Sequence, residues 1–376
     1  MDHNDPARRA FLLSASAAAL ASAQDPSQMR EIRVAHIGIG NRGTSLVKQV
    51  LEQRNVRIAA VCDTDATKRD AAQSLAARDN PKSYTEYRQV LELRDVDAVV
   101  VATPCDLHAE MAAAALDAGK YVYCEKPLGI TPEQVAMALK AARGSKAWLQ
   151  IGQQLRYFPT VRESIRQIHE AKAVGTPFVI KAQRHSTATQ PGKERPRAAW
   201  YDDVRRSGDL IVENAVHNID VCNWAANSRP VSCFGHGKKY LPKTIPAGTV
   251  MMDGFSVTYM YENDVLLDYS QLYLHPRQMK ELRNGQWYIV FGSEGSLEIN
   301  AGMIYPMWGE PRKFFTPEME SGRENAMDEF MRGIRENRRP FAGIEVGATA
   351  ALTAIMGREA IYQRRMVTWK ELGVEV

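Results

Sequence analysis

Two polar segments contain residue types that can move protons or stabilise charge. Lys126 follows the apolar run YVYC and Glu125, and it precedes a proline. His217 lies in VENAVHNID, where Glu213 comes four residues before it and Asp220 three residues after it. An ammonium can stabilise negative charge on an oxygen, and an imidazole exchanges protons near neutral pH. On one continuous helix, Glu213, His217 and Asp220 would share a face, so the sequence predicts that they lie together.

A glycine pattern lies at the start of the first helical segment. Residues 32–37 read as a short apolar strand, and GIGNRG follows before a helical pattern begins. The first glycine permits a tight turn, the second lets the backbone approach a pyrophosphate, and the third lets helix and strand pack closely. With the strand and helix in place, this loop predicts a dinucleotide site. Its predicted cofactor contacts are Gly38, Gly40, Asn41, Arg42 and Gly43.

The acid that ends the second strand indicates the type of nucleotide. Asp63 follows VRIAAVC and lies twenty residues after Gly43, where a carboxylate can accept hydrogen bonds from both adenosine ribose hydroxyls. Such a carboxylate would repel a 2′-phosphate, so the sequence favours NAD over NADP. Arg42, Lys68 and Arg69 could neutralise a 2′-phosphate, and they leave NADP open.

Strands alternate with helices from residue 31 to residue 155. The strand in DVDAVVVATP is almost continuously apolar, as expected for a parallel strand covered on both faces. The alternation predicts a doubly wound parallel sheet, that is, a Rossmann domain of residues 31–155. Ligands of such sheets bind outside the carboxyl ends of the strands. Four polar clusters are predicted to meet there, namely Thr103-Pro104 with His108, Glu125-Lys126, Gln153-Gln154 and Arg156-Tyr157.

The second half of the chain has a different pattern. GFSVTYMYENDVLLDYS and WYIVFGSEGSLEIN each read as an antiparallel hairpin. The pattern changes near Arg156, so residues 156–376 are predicted to form a second α/β domain, with a last helix over 344–366 packed in its core. Tyr273 lies at the end of a long strand, where it could reach a substrate or lie at the surface.

The N-terminus has the features of an export signal. RRAFLL precedes an Ala-rich run, and ASA at residues 21–23 offers a small-x-small cleavage site. The arginine pair resembles the twin-arginine signal, so residues 1–23 are predicted to direct the folded protein to the periplasm or outside the cell. The run is too short and too weakly apolar to be a membrane anchor. If it is instead a frayed Ala-rich helix, the protein is cytoplasmic.

Composition excludes several classes of partner. The formal net charge is only +4 over 376 residues and forms no basic run, which argues against binding to nucleic acid. The cysteines and histidines show none of the spacings typical of metal sites, so no metal is predicted.

The stretch TPCDLHAEMAAAALDAGKYVYCEKPLGIT, residues 103–131, resembles the hallmark of the glucose–fructose oxidoreductase / inositol dehydrogenase / rhizopine catabolism (Gfo/Idh/MocA) family. That hallmark pairs Thr-Pro…His with Ala-Gly-Lys-x-Val-x-x-Glu-Lys-Pro. The resemblance covers roughly residues 31–376. It implies that the second domain contains a large, open, mostly antiparallel sheet. It also implies a homodimer or homotetramer assembled through the exposed face of that sheet.

The same resemblance implies roles for the polar residues. Glu125-Lys126-Pro127 is expected to form a bend, often with a cis peptide bond, that directs Lys126 at the nicotinamide and the reacting hydroxyl. His217 occupies the position of the catalytic histidine, and Glu213 could orient it or contact a sugar hydroxyl. Lys126, His217 and Glu213 are therefore the predicted catalytic residues. Further cofactor contacts are expected from Thr103, Pro104, His108, Glu125, Lys126, Gln154 and Trp200. Substrate contacts are expected from Arg156, Tyr157, Tyr201, Glu213, Asp220 and Tyr273.

Three residues depart from the family pattern Gly-Gly…Asp-x-Gly-x-His-x-x-Asp. Glu213 stands where Asp is usual, Ala215 where Gly is usual, and Asp209 where the second Gly is usual. The departures leave open how the acid and base roles are divided. A single histidine on a helix is often structural, but the motif around His217 favours catalysis.

The resemblance implies an oxidoreductase that moves hydride between a sugar or polyol hydroxyl and NAD(P). Outside the cytoplasm there is no free nicotinamide pool, so export would require a tightly bound cofactor that a second sugar or carbonyl substrate regenerates. The alternative is an NAD-dependent glycosidase, which oxidises a ring carbon, eliminates the aglycone, adds water and returns the hydride. A non-enzymatic sugar-binding module is a third reading.

Overall fold

Two β-sheets organise the protein, one of six strands and one of nine. The computed structural model describes residues 30–187, 198–240, 251–276, 285–320 and 324–376. The predicted export signal, residues 1–23, lies outside these residues and stays a prediction. The predicted fold class, a parallel sheet followed by an α/β domain with an open and mostly antiparallel sheet, is confirmed.

The first sheet is entirely parallel, with the strand order β3-β2-β1-β4-β5-β6. Its central strands β1 and β4 are largely buried, and β4 is wholly apolar, because helices cover both faces of the sheet. The strands are β1 (Ile32–Ile37), β2 (Val56–Cys62), β3 (Lys82–Tyr84), β4 (Ala98–Val101), β5 (Tyr121–Cys124) and β6 (Leu149–Ile151). The helices are α1 (Asn41–Leu51), α2 (Ala66–Leu75), α3 (Tyr87–Leu91), α4 (His108–Asp117) and α5 (Pro132–Gly144).

The second sheet is mixed, with the order β14-β13-β12-β11-β7-β10-β9-β8-β15. β7 and β10 are parallel neighbours, and the other neighbouring pairs are antiparallel, including both predicted hairpins. The strands are β7 (Pro177–His185), β8 (Pro230–Lys238), β9 (Gly254–Tyr261), β10 (Leu266–Leu272), β11 (Gly285–Gly292), β12 (Gly295–Glu298), β13 (Met303–Pro306), β14 (Arg312–Lys313) and β15 (Val367–Thr368). The helices are α6 (Pro159–His169), α7 (Ala199–Asp202), α8 (Val204–Ser207), α9 (Asp209–Glu213), α10 (Val216–Ala226), α11 (Pro317–Glu320), α12 (Ala326–Glu336) and α13 (Ile344–Gln363).

The long helix α13 joins the two domains. It packs against α5 of the first domain and against α9, α10 and β8 of the second. Close packing needs Gly357, since a Cβ there would lie 2.1 Å from the Tyr259 hydroxyl. No helix in the described part of the chain has both the length and the apolar character needed to cross a membrane.

The nine-stranded sheet has two distinct faces. Ile180 and Ala182 of β7 are buried beneath α10, and we call this the inner face. Lys181 between them points to the opposite, outer face, where it pairs with Asp268. Because side chains alternate along a strand, Arg184 also belongs to the inner face. The inner face therefore supports the helix that contains His217.

Candidate active site

The bend after β5 brings Lys126 to a residue of the other domain. The Lys126–Pro127 peptide bond is cis. The Lys126 ammonium donates hydrogen bonds to the Glu213 carbonyl (2.5 Å) and to Glu213 Oε1 (2.8 Å). Burial alone would lower the pKa of Lys126 and raise that of Glu213, but their mutual attraction outweighs it, so the pKa of Lys126 is raised and that of Glu213 is lowered. The two residues therefore form a charged, largely buried pair.

Glu213 and His217 lie on two successive helices, which differs from the single helix predicted from the sequence. α9 ends at Glu213 and α10 begins at Val216. A continuous helix would use the Glu213 carbonyl to accept the backbone N–H of His217. Here that carbonyl accepts from Lys126 instead. The break between α9 and α10 thus leaves the Glu213 carbonyl oxygen available to Lys126. Lys126 and His217 both lie near this oxygen.

His217 is oriented by Gln153, a residue for which no role was predicted from the sequence. Its Nδ1 lies 3.0 Å from Oε1 of Gln153, which is almost fully buried just after β6. An amide oxygen only accepts, so this contact places the imidazole hydrogen on Nδ1 and leaves Nε2 with a lone pair. Burial, together with the charges of Lys126, Arg184 and Arg42, holds the pKa of His217 well below its usual value. The imidazole is therefore neutral at pH 7.

The structure brings Lys126 and His217 to one place from opposite domains. Lys126 comes from the carboxyl end of β5, and His217 comes from α10, which rests on the inner face of the second sheet. Lys126 contacts Glu213, four residues before His217, and its charge lowers the pKa of the imidazole. A charged donor and a neutral base thus stand beside each other, as proton transfer from an alcohol would require.

The glycine loop has the shape that a dinucleotide needs. Gly38 adopts a left-handed φ of +89°, and a Cβ on Gly43 would lie 2.0 Å from the Gly38 carbonyl oxygen. By contrast, a Cβ on Gly40 would meet nothing within 4 Å, so there is open space in front of it. α1 begins at Asn41 and no side chain caps its N-terminus, so its first backbone N–H groups can bind an anion. These features fit a bound pyrophosphate.

Asp63 lies beside the glycine loop at the end of β2. Its carboxylate accepts from the backbone N–H of Ile39 (2.7 Å) and of Asp65 (2.9 Å). The three cations that left NADP open each have a partner. Arg42 pairs with Glu125, Lys68 pairs with Asp65, and Arg69 donates to the Asp63 carbonyl.

The Thr103-Pro104 loop is held to the Lys126 bend by a histidine. His108 is buried, with Nδ1 2.8 Å from the Pro127 carbonyl oxygen and Nε2 2.8 Å from that of Thr103. Burial lowers its pKa. Pro104 begins a short 3₁₀ turn, and the Thr103 hydroxyl is buried with no hydrogen-bond partner among the described residues. We infer that His108 fixes the two loops in register, which leaves the Thr103 hydroxyl for a ligand.

Glu125 and Gln154 line the same edge. The Glu125 carboxylate accepts from Arg42 Nε (2.7 Å) and, weakly, from Gln154 Nε2 (3.4 Å). Gly152 packs directly on that carboxylate, since a Cβ there would lie 2.9 Å from it. Glu125 therefore ties the glycine loop to the strands that follow it.

Three predicted substrate residues are engaged with other side chains. Arg156 and Asp220 form a buried bidentate ion pair at 2.7 and 2.8 Å, and the Arg156 guanidinium lies 4.7 Å from the centroid of the Trp224 ring. The Tyr157 hydroxyl donates to Glu329. These contacts support the second domain, and a direct role of the three residues in substrate binding stays a prediction.

The aromatic candidates differ in how close they come to the site. Tyr201 interacts with Glu213 and lowers the pKa of its carboxyl. The Trp200 ring packs against Tyr201 with centroids 5.7 Å apart. Tyr273 follows β10 and its backbone N–H donates to the Asp253 carbonyl. Tyr201 is thus the aromatic residue placed nearest to the chemistry.

Two residues of the site, Gln153 and Arg184, were not predicted from the sequence to act there. Gln153 was noted as one of the polar residues at the edge, but nothing in the sequence linked it to a histidine 64 residues later. Arg184 interrupts an otherwise apolar inner row of β7. That interruption was the available signal, because a charged residue on a covered face needs a reason.

The fold and site together define a two-domain dinucleotide-binding protein, in which a Rossmann domain supplies the cofactor cleft and an α/β domain covers it. Residues 32–153 match a family model described as an oxidoreductase family with an NAD-binding Rossmann fold, and residues 163–298 match the GFO/IDH/MocA C-terminal domain. The chain belongs to the Gfo/Idh/MocA family. Among the described residues, no group of three or more His, Cys, Asp or Glu side chains is placed to hold a metal ion.

Three similar proteins illustrate the range of the family. The chain is 28% identical to an inositol 2-dehydrogenase of Salmonella typhimurium over 58% of its own length and 60% of the relative's. It is 39% identical to a glycosyl hydrolase family 109 protein of Shewanella amazonensis, over 29% of its own length and 25% of the relative's. A levoglucosan dehydrogenase solved with NADH has the same fold, with a TM-score of 0.75 and 19% sequence identity. The match covers 90% of this chain and 99% of that one.

Proposed function

We propose that the protein is an NAD-dependent oxidoreductase that oxidises a secondary hydroxyl of a sugar or polyol, or reduces the corresponding ketone. The observation that carries this proposal is the meeting of Lys126 and His217 beside the cofactor cleft. The inositol 2-dehydrogenase relative supports a polyol-like substrate. NAD, when bound, supplies the hydride acceptor.

The protein residues divide the proton chemistry between them. His217 takes the hydroxyl proton at Nε2, because Gln153 holds the imidazole hydrogen on Nδ1. The Lys126 ammonium stabilises the negative charge that develops on the same oxygen. Glu213 keeps Lys126 charged and aimed by accepting two of its hydrogen bonds, one on its carbonyl and one on its carboxylate. We thus assign the base role to His217 and the charge-stabilising role to Lys126.

NAD is the proposed cofactor rather than NADP. The Asp63 carboxylate stands where a 2′-phosphate would be repelled. Arg42 and Lys68 already pair with acids, and Arg69 donates to the Asp63 carbonyl, which supports NAD. Tight binding and regeneration of the cofactor in place are proposed only together with export, which depends on residues 1–23.

A glycosidase that uses transient oxidation is the second candidate. Similarity to a family 109 glycosyl hydrolase favours it, although the matched region is only 115 residues long. The same Lys126 and His217 could begin such a cycle, because it also starts with oxidation of a ring hydroxyl. The net reaction would then be hydrolysis with no change in the cofactor.

Assembly through the second sheet is also proposed. The outer face of this sheet carries exposed Phe234 and Met260, on β8 and β9. Large apolar side chains exposed on a single sheet face are typical of interfaces. Homodimer or homotetramer formation would cover them, and sedimentation of the purified protein measures the assembly.

The deciding experiment begins with the nicotinamide. Purified protein is denatured, and any released nucleotide is identified by mass. Protein loaded with NAD is then assayed with free sugars, polyols and aryl glycosides. NADH formation, or carbonyl-dependent sugar oxidation, supports the oxidoreductase. Aglycone release without an acceptor supports the glycosidase. Failure to bind either nucleotide would refute both.

A further inference from the structure

A row of polar side chains crosses the inner face of the second sheet beneath the site. In the strand register Arg184 of β7 lies between Gln286 of β11 and Gln271 of β10. Side chains of directly paired residues lie on the same face. The row therefore faces α9 and α10, at the level of the helix break that separates Glu213 from His217.

The two glutamines of this row hold the helices on either side of His217. Gln286 Oε1 accepts from Asn218 Nδ2 at 3.1 Å. Gln271 Nε2 donates to Asn214 Oδ1 at 2.8 Å, and its own Oε1 accepts from the Tyr269 hydroxyl. His217 lies between Asn214 and Asn218, so the row is anchored directly around the imidazole.

Arg184, in the middle of the row, has no such partner. Within the described residues no hydrogen bond or ion pair engages its guanidinium, and the residue is only partly exposed. It is near enough to His217 for its charge to lower the pKa of the imidazole. A guanidinium presents five donors in a planar fork that matches an oxyanion. Its position suits a group on the ligand rather than a structural pair.

The charge around the site favours an anion. The nearby acids are already neutralised, since Glu213 pairs with Lys126 and Glu125 pairs with Arg42. Arg184 is left as an unneutralised positive charge on the inner face, near His217. Partly desolvated charge is costly unless an opposite charge meets it. A neutral polyol would leave that cost in place.

We propose that Arg184 binds an oxyanion carried by the substrate, so that the substrate class is a sugar acid or a sugar phosphate rather than a neutral sugar. This inference rests on the proposed oxidoreductase function and deepens it. The reacting hydroxyl meets His217 and Lys126, and the anionic substituent meets Arg184. The two contacts fix which hydroxyl of the ring reaches the imidazole.

The test compares matched sugars on NAD-loaded protein. Glucose, glucuronate and glucose 6-phosphate are assayed as one set, and the galactose and mannose sets are assayed in the same way. The variants are Arg184→Gln, which removes the charge, and Arg184→Lys, which keeps it. Lys181→Gln is the matched control, because it removes a positive charge from the outer face of the same strand.

In the wild type, kcat/KM for an anionic member should exceed that for its neutral counterpart by about tenfold or more, the usual scale of a charge-assisted hydrogen bond. Arg184→Gln should abolish this preference, Arg184→Lys should keep part of it, and Lys181→Gln should leave it intact. Added salt should raise KM for the anionic sugar alone, a readout that needs no variant. Preference for the carboxylate or the phosphate member identifies the source of the oxyanion.

Two results would refute the inference about Arg184 but not the proposed oxidoreductase function. If neutral sugars reduce NAD as well as the anionic ones, or if Arg184→Gln keeps the anionic preference, Arg184 does not bind an oxyanion of the substrate. If no sugar of any set changes the redox state of the cofactor, the proposed function itself fails.

Discussion

The two halves of the site are built in different ways. The cofactor half consists mainly of backbone, since the glycine loop, the start of α1 and Asp63 follow one another within about thirty residues of chain, from Gly38 to Arg69. The substrate half consists of side chains from distant segments, where Gln153, Arg184 and Gln271 surround His217. Local sequence can specify the first kind of site, whereas the second arises only when strands and helices are placed in register.

The first prediction tests the point at which the halves meet. Replacing Lys126 with Met should lower kcat by about a thousandfold or more, because charge on the reacting oxygen is left unstabilised. NAD binding, followed by fluorescence quenching, should be nearly unchanged, since the cofactor cleft keeps its backbone. Full turnover in this variant would remove Lys126 from the mechanism.

Stability needs a separate control for the same variant. Removing one member of a buried ion pair leaves the other charge unpaired, at a cost of about 3–5 kcal/mol in the free energy of unfolding. The double variant Lys126→Met/Glu213→Gln removes both charges and should recover much of that stability in a urea titration. If its activity also recovers, the loss in the single variant reflects misfolding rather than chemistry.

What the sequence predicted follows the same division. GIGNRG and Asp63 are predictable because each lies in a contiguous strand–loop–helix pattern with a known mechanism. The alternation of strands and helices predicts the parallel sheet, whereas the Glu-Lys-Pro bend and the large open sheet were implied by the family resemblance. The break between α9 and α10 was not predictable, because it depends on a hydrogen bond from Lys126, 87 residues away.

The residues that meet on the inner face of the second sheet could not be predicted from the sequence, for a similar reason. Alternation shows that Arg184 shares a face with Ile180 and Ala182, but not which residues are opposite. Its neighbours come from β10 and β11, which are more than eighty residues later in the chain. Only the register of the sheet reveals that the arginine lies beneath His217.

The second prediction separates fold from function within the glycine loop. Gly40→Ala should raise the Kd for NAD by at least about tenfold, because the second glycine is where the backbone approaches the pyrophosphate. The thermal midpoint should not fall, since the new methyl group meets nothing within 4 Å. Calorimetric titration with NAD measures the first quantity, and thermal unfolding without the nucleotide measures the second.

Substitutions of two other glycines serve as comparisons for Gly40→Ala. Gly43→Ala should destabilise the fold itself, because its Cβ would overlap the Gly38 carbonyl oxygen. Gly144→Ala, in the last turn of α5 with open space around it, should change neither quantity appreciably. An unchanged Kd in Gly40→Ala would mean that the pyrophosphate lies elsewhere.

The third prediction concerns the positioning of His217 by Gln153. The pKa of the imidazole is held below 6.5, so kcat/KM of the wild type should stay constant as the pH falls to 6.5 and decline only at lower pH. Gln153→Glu places a negative charge beside Nδ1, which raises this pKa and moves the decline to higher pH. Gln153→Leu removes the orienting acceptor, and kcat should fall about tenfold or more.

The pH profile distinguishes positioning from mere packing. A purely structural role would lower activity in both variants without moving the acid limb of Gln153→Glu to higher pH. Steady-state rates from pH 5 to 9 with a saturating sugar provide the measurement. If the acid limb of Gln153→Glu coincides with that of the wild type, Gln153 does not act through His217.

The last prediction asks whether nucleotide choice is as local as the cofactor half suggests. Asp63→Asn keeps one of the two oxygens that accept from the Ile39 and Asp65 N–H groups, and it removes the negative charge. Repulsion of a 2′-phosphate then disappears, so the ratio of NAD to NADP affinity should narrow by about tenfold. Asp70→Asn is the matched control, because it removes the same charge from an exposed position of α2 where no ion pair is formed within the described residues. If both variants narrow the ratio of NAD to NADP affinity alike, the choice of nucleotide depends on the summed charge near the loop rather than on Asp63 itself. The cofactor half would then depend on long-range charge, as the substrate half does.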